Sequence, residues 1–241
     1  MTDHEPTVTA QRTGKPRPHT AGVDAYEHLL NAAGELFYRD GVRAVGVEAV
    51  VELAGVNKMS LYRQFSSKDD LAVAYLKRRD ERFFQRFDAS IAKHPGEPVK
   101  QLLQYFDDLA RYASVPGYRG CPFVNVAVEF ADPSHPTRRV VAGNKSKLIA
   151  RLTALAKEAG AADPAALADE LTLLVEGVYA ASQTIEPGCG PIAAAPRMAK
   201  LLIEAACPAP GAAKRSAWPP SPLTDTPHRA RSSRPAGKMK P

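Results

Sequence analysis

The stretch AGVNKMSLYRQFSSKDDL, residues 54–71, decides how the rest of the chain is read. Val47, Val50, Val51 and Ala54 have the spacing of one short helix, which Gly55 breaks. Asn57 is a residue type that caps helix starts, and a further helix is expected from there to about Phe65. Ser67 followed three residues later by Asp70 has the capping-box pattern and opens another helix at Lys68. Two short helices joined by a glycine turn make a helix-turn-helix, whose second member can lie in a DNA major groove with its first residues at base edges.

With Val50, Ala54, Val56 and Leu61 facing inward, the outward positions of the second helix are Lys58, Met59, Ser60, Tyr62 and Arg63. Many helical corners turn through Ala-Gly-Val without touching DNA, so the turn alone settles nothing. Tyr62 beside Arg63 outside the apolar stripe has little use in a core. Lys68 stands in a first helical turn, where a cation opposes the helix dipole unless an anion such as a phosphate is near.

Around this stretch nearly everything has helical period. Tyr26, Leu29, Leu30, Ala33, Leu36 and Phe37 share one helix face; Asp24 with Glu27 is placed to cap its start, and Gly41 to end it. The helix opening at Lys68 runs to about Ile91. Amphipathic runs follow at about 99–114, 119–131, 136–160, 164–185 and 191–206, bounded by prolines. No segment alternates long enough to suggest a strand. The expected fold is all-α: a three-helix head over 23–70 and a larger helical domain over 71–206. Residues 1–22 and the Pro-rich 207–241, which holds Trp218, lack apolar periodicity and are expected to be disordered.

The net charge of +6 is carried by the tail, where seven basic residues meet one acid; residues 23–206 sum to −1. Bulk charge is therefore no argument for nucleic acid. Cys121, Cys189 and Cys207 are widely spaced, which excludes a zinc module or a disulfide framework and fits a reducing cytoplasm. No apolar run reaches the roughly 18 residues of a membrane span, and no signal-peptide pattern is present. No cofactor or metal is expected.

The motifs AAGELFYRDGV, AGVNKMSLYRQF and SSKDDL within 25–71 together resemble the N-terminal domain of TetR/AcrR-type transcriptional regulators. GCPFVNVAVEF (120–130) followed by DPSHP is similar to one subgroup's ligand-binding domain. The resemblance implies double-stranded DNA as partner, with Lys58, Met59 and Ser60 near the bases, Tyr62 and Lys68 near phosphates, Asn57 and Arg63 also on the DNA-binding face, and a homodimer released from its site by a small-molecule effector. Val45 and Gly46 stand where the family usually has Thr and Ser, so a phosphate contact is missing there and Arg43 is the candidate to replace it.

For the effector, the expected lining is Tyr105, Phe106, Phe123, Asn125, Glu129, Phe130, Tyr179 and Gln183, aromatic residues joined by polar groups that need partners when buried. Tyr112 and Tyr118 lie in the same runs. The last two helices are apolar on more than one face, and Leu167, Leu171, Leu174, Val178, Leu201 and Leu202 are the expected dimer interface. The rival readings are a redox sensor using Cys121 or Cys189, a thiol enzyme pairing Cys121 with His135, and an all-α scaffold binding only protein. No HExxH, GxSxG or phosphate-loop pattern supports an enzyme.

Overall fold

Proline sets the starts of the later helices. In the computed structural model, which describes residues 22–186 and 190–207 (side chains from residue 24), the last five helices each carry proline in their first turn. There the missing N–H costs nothing and φ is already helical. The described residues form nine helices: α1 (Gly22–Asp40), α2 (Val47–Leu53), α3 (Lys58–Gln64), α4 (Lys68–Ile91), α5 (Pro98–Ala113), α6 (Pro122–Glu129), α7 (Pro136–Glu158), α8 (Pro164–Thr184) and α9 (Pro191–Ala206). No strand occurs among them, so the all-α expectation holds. The expected disorder of the N-terminal arm and of the tail, with Trp218 and Cys189, falls on residues outside those described.

Two boundaries differ from expectation. α1 already includes Gly22, so Asp24 sits inside the first turn, favouring the dipole there rather than capping the end. Glu27 instead receives Arg78 Nη2 at 2.7 Å. α6 is shorter than 119–131, because Gly120 takes φ +69° and Cys121 is extended before Pro122 starts the helix.

In the head, α1 packs on α2, α3 and α4. Leu29, Leu30, Ala33 and Phe37 of α1 are buried with Val50, Val56, Leu61, Leu71 and Tyr75, and the Phe37 and Tyr75 rings meet edge to face at 5.7 Å. α4 is shared: its first half (Leu71, Ala72, Tyr75, Leu76) belongs to the head core, and Phe84 and Phe87 belong to the core of the body. In the body α7 packs on α8, α8 on α9, and α5 on α9. No described helix is long and apolar enough to cross a membrane.

Candidate DNA-binding face and ligand cavity

The turn between α2 and α3 needs its glycine, since Gly55 has φ +67°. Asn57 then caps α3: its Oδ1 accepts from Ser60 N at 2.8 Å and from Ser60 Oγ at 3.1 Å. Asn57 and Ser60 are thus tied to each other at the helix start. Leu61 is 0% exposed and pins α3 to the head, which turns Met59 (65% exposed) and Tyr62 (47%) outward. Lys58 Nζ meets Glu48 Oε1 of α2 at 2.6 Å; this hydrogen bond raises the lysine pKa and lowers that of Glu48, yet both side chains are mostly exposed. Such a pair is weak and exchangeable for another anion. Arg63 is exposed and makes no ion pair among the described residues.

Two of the expected phosphate contacts are held elsewhere. Lys68 Nζ donates to the carbonyls of Val42 (3.0 Å), Arg43 (3.4 Å) and Val45 (3.1 Å), so the anion it was expected to need is replaced by three carbonyls of the α1–α2 turn. Arg43 faces α6: its N–H donates to Glu129 Oε2 at 2.7 Å and its Nη1 to Glu129 O at 3.2 Å. It does not take the place of the missing hydroxyls, and Gly46 precedes α2 with no side-chain cap.

The body encloses a cavity of about 380 Å³ between α4, α5, α6 and α8, within the usual range for small-molecule sites. Phe87, Tyr105, Phe123 and Tyr179 line it with buried rings, and the last three are among the residues proposed from sequence for an effector. Tyr112, Tyr118 and Cys121 also line it. The Tyr105 hydroxyl is buried and has no hydrogen-bond partner, and burial pushes its pKa upward, so the phenol is neutral. Tyr38 of α1 reaches the wall from the head: its hydroxyl donates to Gly120 O (3.2 Å) and accepts from Arg119 N (2.8 Å).

The remaining expected effector residues are not on this wall. Phe106 is wholly buried, its ring packed edge to face on Tyr105. Asn125 donates to Arg119 O at 2.8 Å and accepts from Gln183 Nε2 at 3.2 Å, so the two amides lock each other beneath the α5–α6 loop. Glu129 is committed to the α1–α2 turn, and Phe130 stacks on His135 at 4.1 Å. These polar groups are satisfied by the protein itself and support the loops around the cavity rather than contact its interior.

Sequence reasoning missed the charged part of the wall: Arg79, Arg86, Lys93, Asp108 and Arg111. Arg79 and Arg86 are seven apart in α4 and interleave with Phe83 and Phe87, a spacing that puts basic and aromatic groups on one helix face. Arg86 lies over Tyr112 (4.7 Å) and Arg79 over Tyr38 (4.9 Å) and Tyr75 (5.3 Å). Asp108 takes Lys93 Nζ (2.6 Å), Gln104 Nε2 (3.0 Å) and Arg111; burial would lift its pKa, but hydrogen bonding by Lys93, Ser90 and Gln104 holds it below the ordinary carboxylate range.

Cys121 has Lys145 Nζ 3.7 Å from its sulfur, and that lysine pairs with Glu176 at 2.5 Å. Burial raises the thiol pKa and outweighs the pull of Lys145, which keeps the thiol protonated and a poor nucleophile. His135 does not serve it: its ring nitrogens face Thr137 and Asp69. The Cys121–His135 pair of the rival thiol-enzyme reading is therefore not formed.

The expected dimer leucines divide. Leu167, Leu171 and Val178 are buried within their own body and cannot reach a partner. Leu174 and Leu202 are half-buried, and Leu201 (55% exposed) lies outward, as do Leu173 (75%) and Met198. The outward apolar face of α8 and α9 is thus displaced from the expected one.

A buried corner that exposes one face of a second short helix, set on a helical body with a cavity, is a helix-turn-helix head on a larger all-α domain. The family described as "Bacterial regulatory proteins, tetR family" matches residues 29–75, and "Tetracyclin repressor-like, C-terminal domain" matches 98–187. The chain belongs to the TetR family of DNA-binding transcriptional regulators.

Among solved structures, a TetR-family transcriptional regulator from Streptomyces coelicolor is 28% identical with a TM-score of 0.73, covering 77% of this chain and 97% of that one. A TetR-type regulator from Streptomyces avermitilis is 35% identical with a TM-score of 0.66, covering 76% and 97%. The HTH-type transcriptional repressor NemR of Escherichia coli is 28% identical over 131 residues, 54% of this chain and 66% of its own length, just under two thirds. The transcriptional regulator AcuR of Cereibacter sphaeroides is 27% identical over 190 residues, 73% of this chain and 85% of its own.

Proposed function

We propose that the protein is a homodimeric repressor that holds a palindromic operator and releases it when a small molecule fills the body cavity. The outer face of α3 carries this reading: Leu61 is fully buried, while Met59, Tyr62 and Arg63 project with no partner among the described residues that would require them. Met59 offers apolar contact to a thymine methyl, Lys58 and Arg63 offer donors, and Tyr62 a hydroxyl for a phosphate. Two such helices enter successive major grooves about 34–36 Å apart. The outward face of Leu173, Leu174, Met198, Leu201 and Leu202 supports pairing through α8 and α9. Release is supported by Tyr38, a head residue that is also part of the cavity wall: a ligand there bears on the head directly, and its preference for one head position couples to DNA by linkage.

The test is selection of bound duplexes from a random pool, followed by fluorescence anisotropy on the enriched sequence. Enrichment of an inverted repeat with half-sites one helical turn or a multiple of it apart, bound by one dimer, is the expected result. Enrichment of no sequence at low salt would sink the proposal. Met59→Ala is expected to change preference among operator variants, and Arg63→Ala to weaken all duplexes alike and flatten the salt dependence by about one unit per contact.

A further inference from the structure

Four of the five charged side chains on the cavity wall are basic, and Asp108 is the single acid. Lys93 and Arg111 share that carboxylate, so two cations already divide one charge. Arg79 and Arg86 pair with no carboxylate among the described residues; each rests on tyrosine rings instead. Arg79 gives its Nη2 to Gly34 O at 3.0 Å, whereas the Arg86 guanidinium over the Tyr112 face keeps its edge N–H groups free to fork onto an oxyanion. Arg86 is exposed beside Tyr112, whereas Phe87, Tyr105, Phe123 and Tyr179 of the same wall are buried. The wall is thus basic toward solvent and aromatic within. The Tyr105 hydroxyl, on a residue 6% exposed, is buried in this wall; the Tyr179 side chain lies near it, but no hydrogen bond of good geometry reaches it. An orphaned buried hydroxyl is costly unless something supplies an acceptor.

We propose that the cavity takes a small organic carboxylate with a flat, apolar body: the carboxylate at Arg86, the body between the aromatic rings, and the Tyr105 hydroxyl free to donate to a polar atom at the inner end. This rests on the cavity being the effector site and adds its ligand class. A neutral ligand would leave the net positive wall uncompensated, and an amine would meet Arg79, Arg86, Lys93 and Arg111 as like charges. One carboxylate gives Arg86 the anion that the described fold does not.

The experiment is isothermal titration calorimetry on the full-length protein with three matched probes: 4-phenylbutyrate, 4-phenylbutyramide and 4-phenylbutylamine. The acid is expected to bind at least about tenfold more tightly than the amide, the size of one charge-assisted hydrogen bond, with the amine weakest. Arg86→Gln, an exposed position whose variant should melt with the parent protein, brings the acid to within about threefold of the amide and leaves the amide unchanged. Equal binding of acid and amide, tightest binding of the amine, absence of binding by all three, or an acid preference that survives Arg86→Gln would each overturn the proposal. DNA anisotropy with the same probes separates it from the regulatory reading. Preferential acid binding with no effect on DNA keeps the ligand class and removes ligand-controlled release; a DNA-binding protein with no acid preference does the reverse.

Discussion

Lys68 shows how far a single side chain can mislead when only its neighbours in sequence are known. A lysine at the first turn of a helix calls for an anion, and the chain provides three carbonyls from a turn 23–26 residues earlier. That contact is non-local, so no spacing rule reaches it. Lys68→Ala is expected to lower unfolding free energy by about 1–3 kcal/mol in urea titration, with DNA binding weakened through loosening of the head. Gly120 is a second such residue. It combines φ +69° with a Gln183 Nε2 only 2.5 Å from where a Cβ would stand, so Gly120→Ala is expected to cost about 1–3 kcal/mol by the same titration. At Cys121 burial lifts the thiol pKa, so iodoacetamide at pH 8 should label it far more slowly than an unfolded thiol. Its labelling should accelerate on raising pH or on adding urea, followed by peptide mass spectrometry.

At the scale of elements, the helices were legible because proline, glycine and capping residues punctuate this chain at nearly every turn. Gly46 is the exception, a helix start with neither a side-chain cap nor a first-turn proline. Gly46→Ser should supply that cap and stabilise by a few tenths of a kcal/mol, read as a small rise in melting temperature. Which face of each helix is used was less legible. In α8 both Leu171 and Leu173 are apolar, yet Leu171 is buried in its own body and Leu173 is exposed; an all-round apolar helix gives no periodicity by which to separate them. Likewise Asn125, Glu129 and Gln183 were read as polar groups needing partners, and sequence could not tell the protein partners they find from a ligand. Leu173→Glu with Leu201→Glu is expected to give a folded monomer by sedimentation, whereas Leu171→Glu should unfold the body.

For the whole molecule, what matters is how the head is fastened to the body. Tyr38 bonds Gly120 O and Arg119 N, Arg79 bonds Gly34 O, and Glu129 holds the Arg43 N–H. Glu129→Ala removes one of these fasteners and should reduce the factor by which a cavity ligand shifts operator affinity, measured by anisotropy with and without ligand. Each of these three contacts has main chain on at least one side. Peptide groups are common to every sequence, so this seam demands few matched pairs of side chains. Natural drift in either half can proceed without breaking the joint, and a head transplanted from a distant relative should still seat if it brings a tyrosine at the position of Tyr38. DNA preference and ligand preference are then free to be exchanged as separate parts.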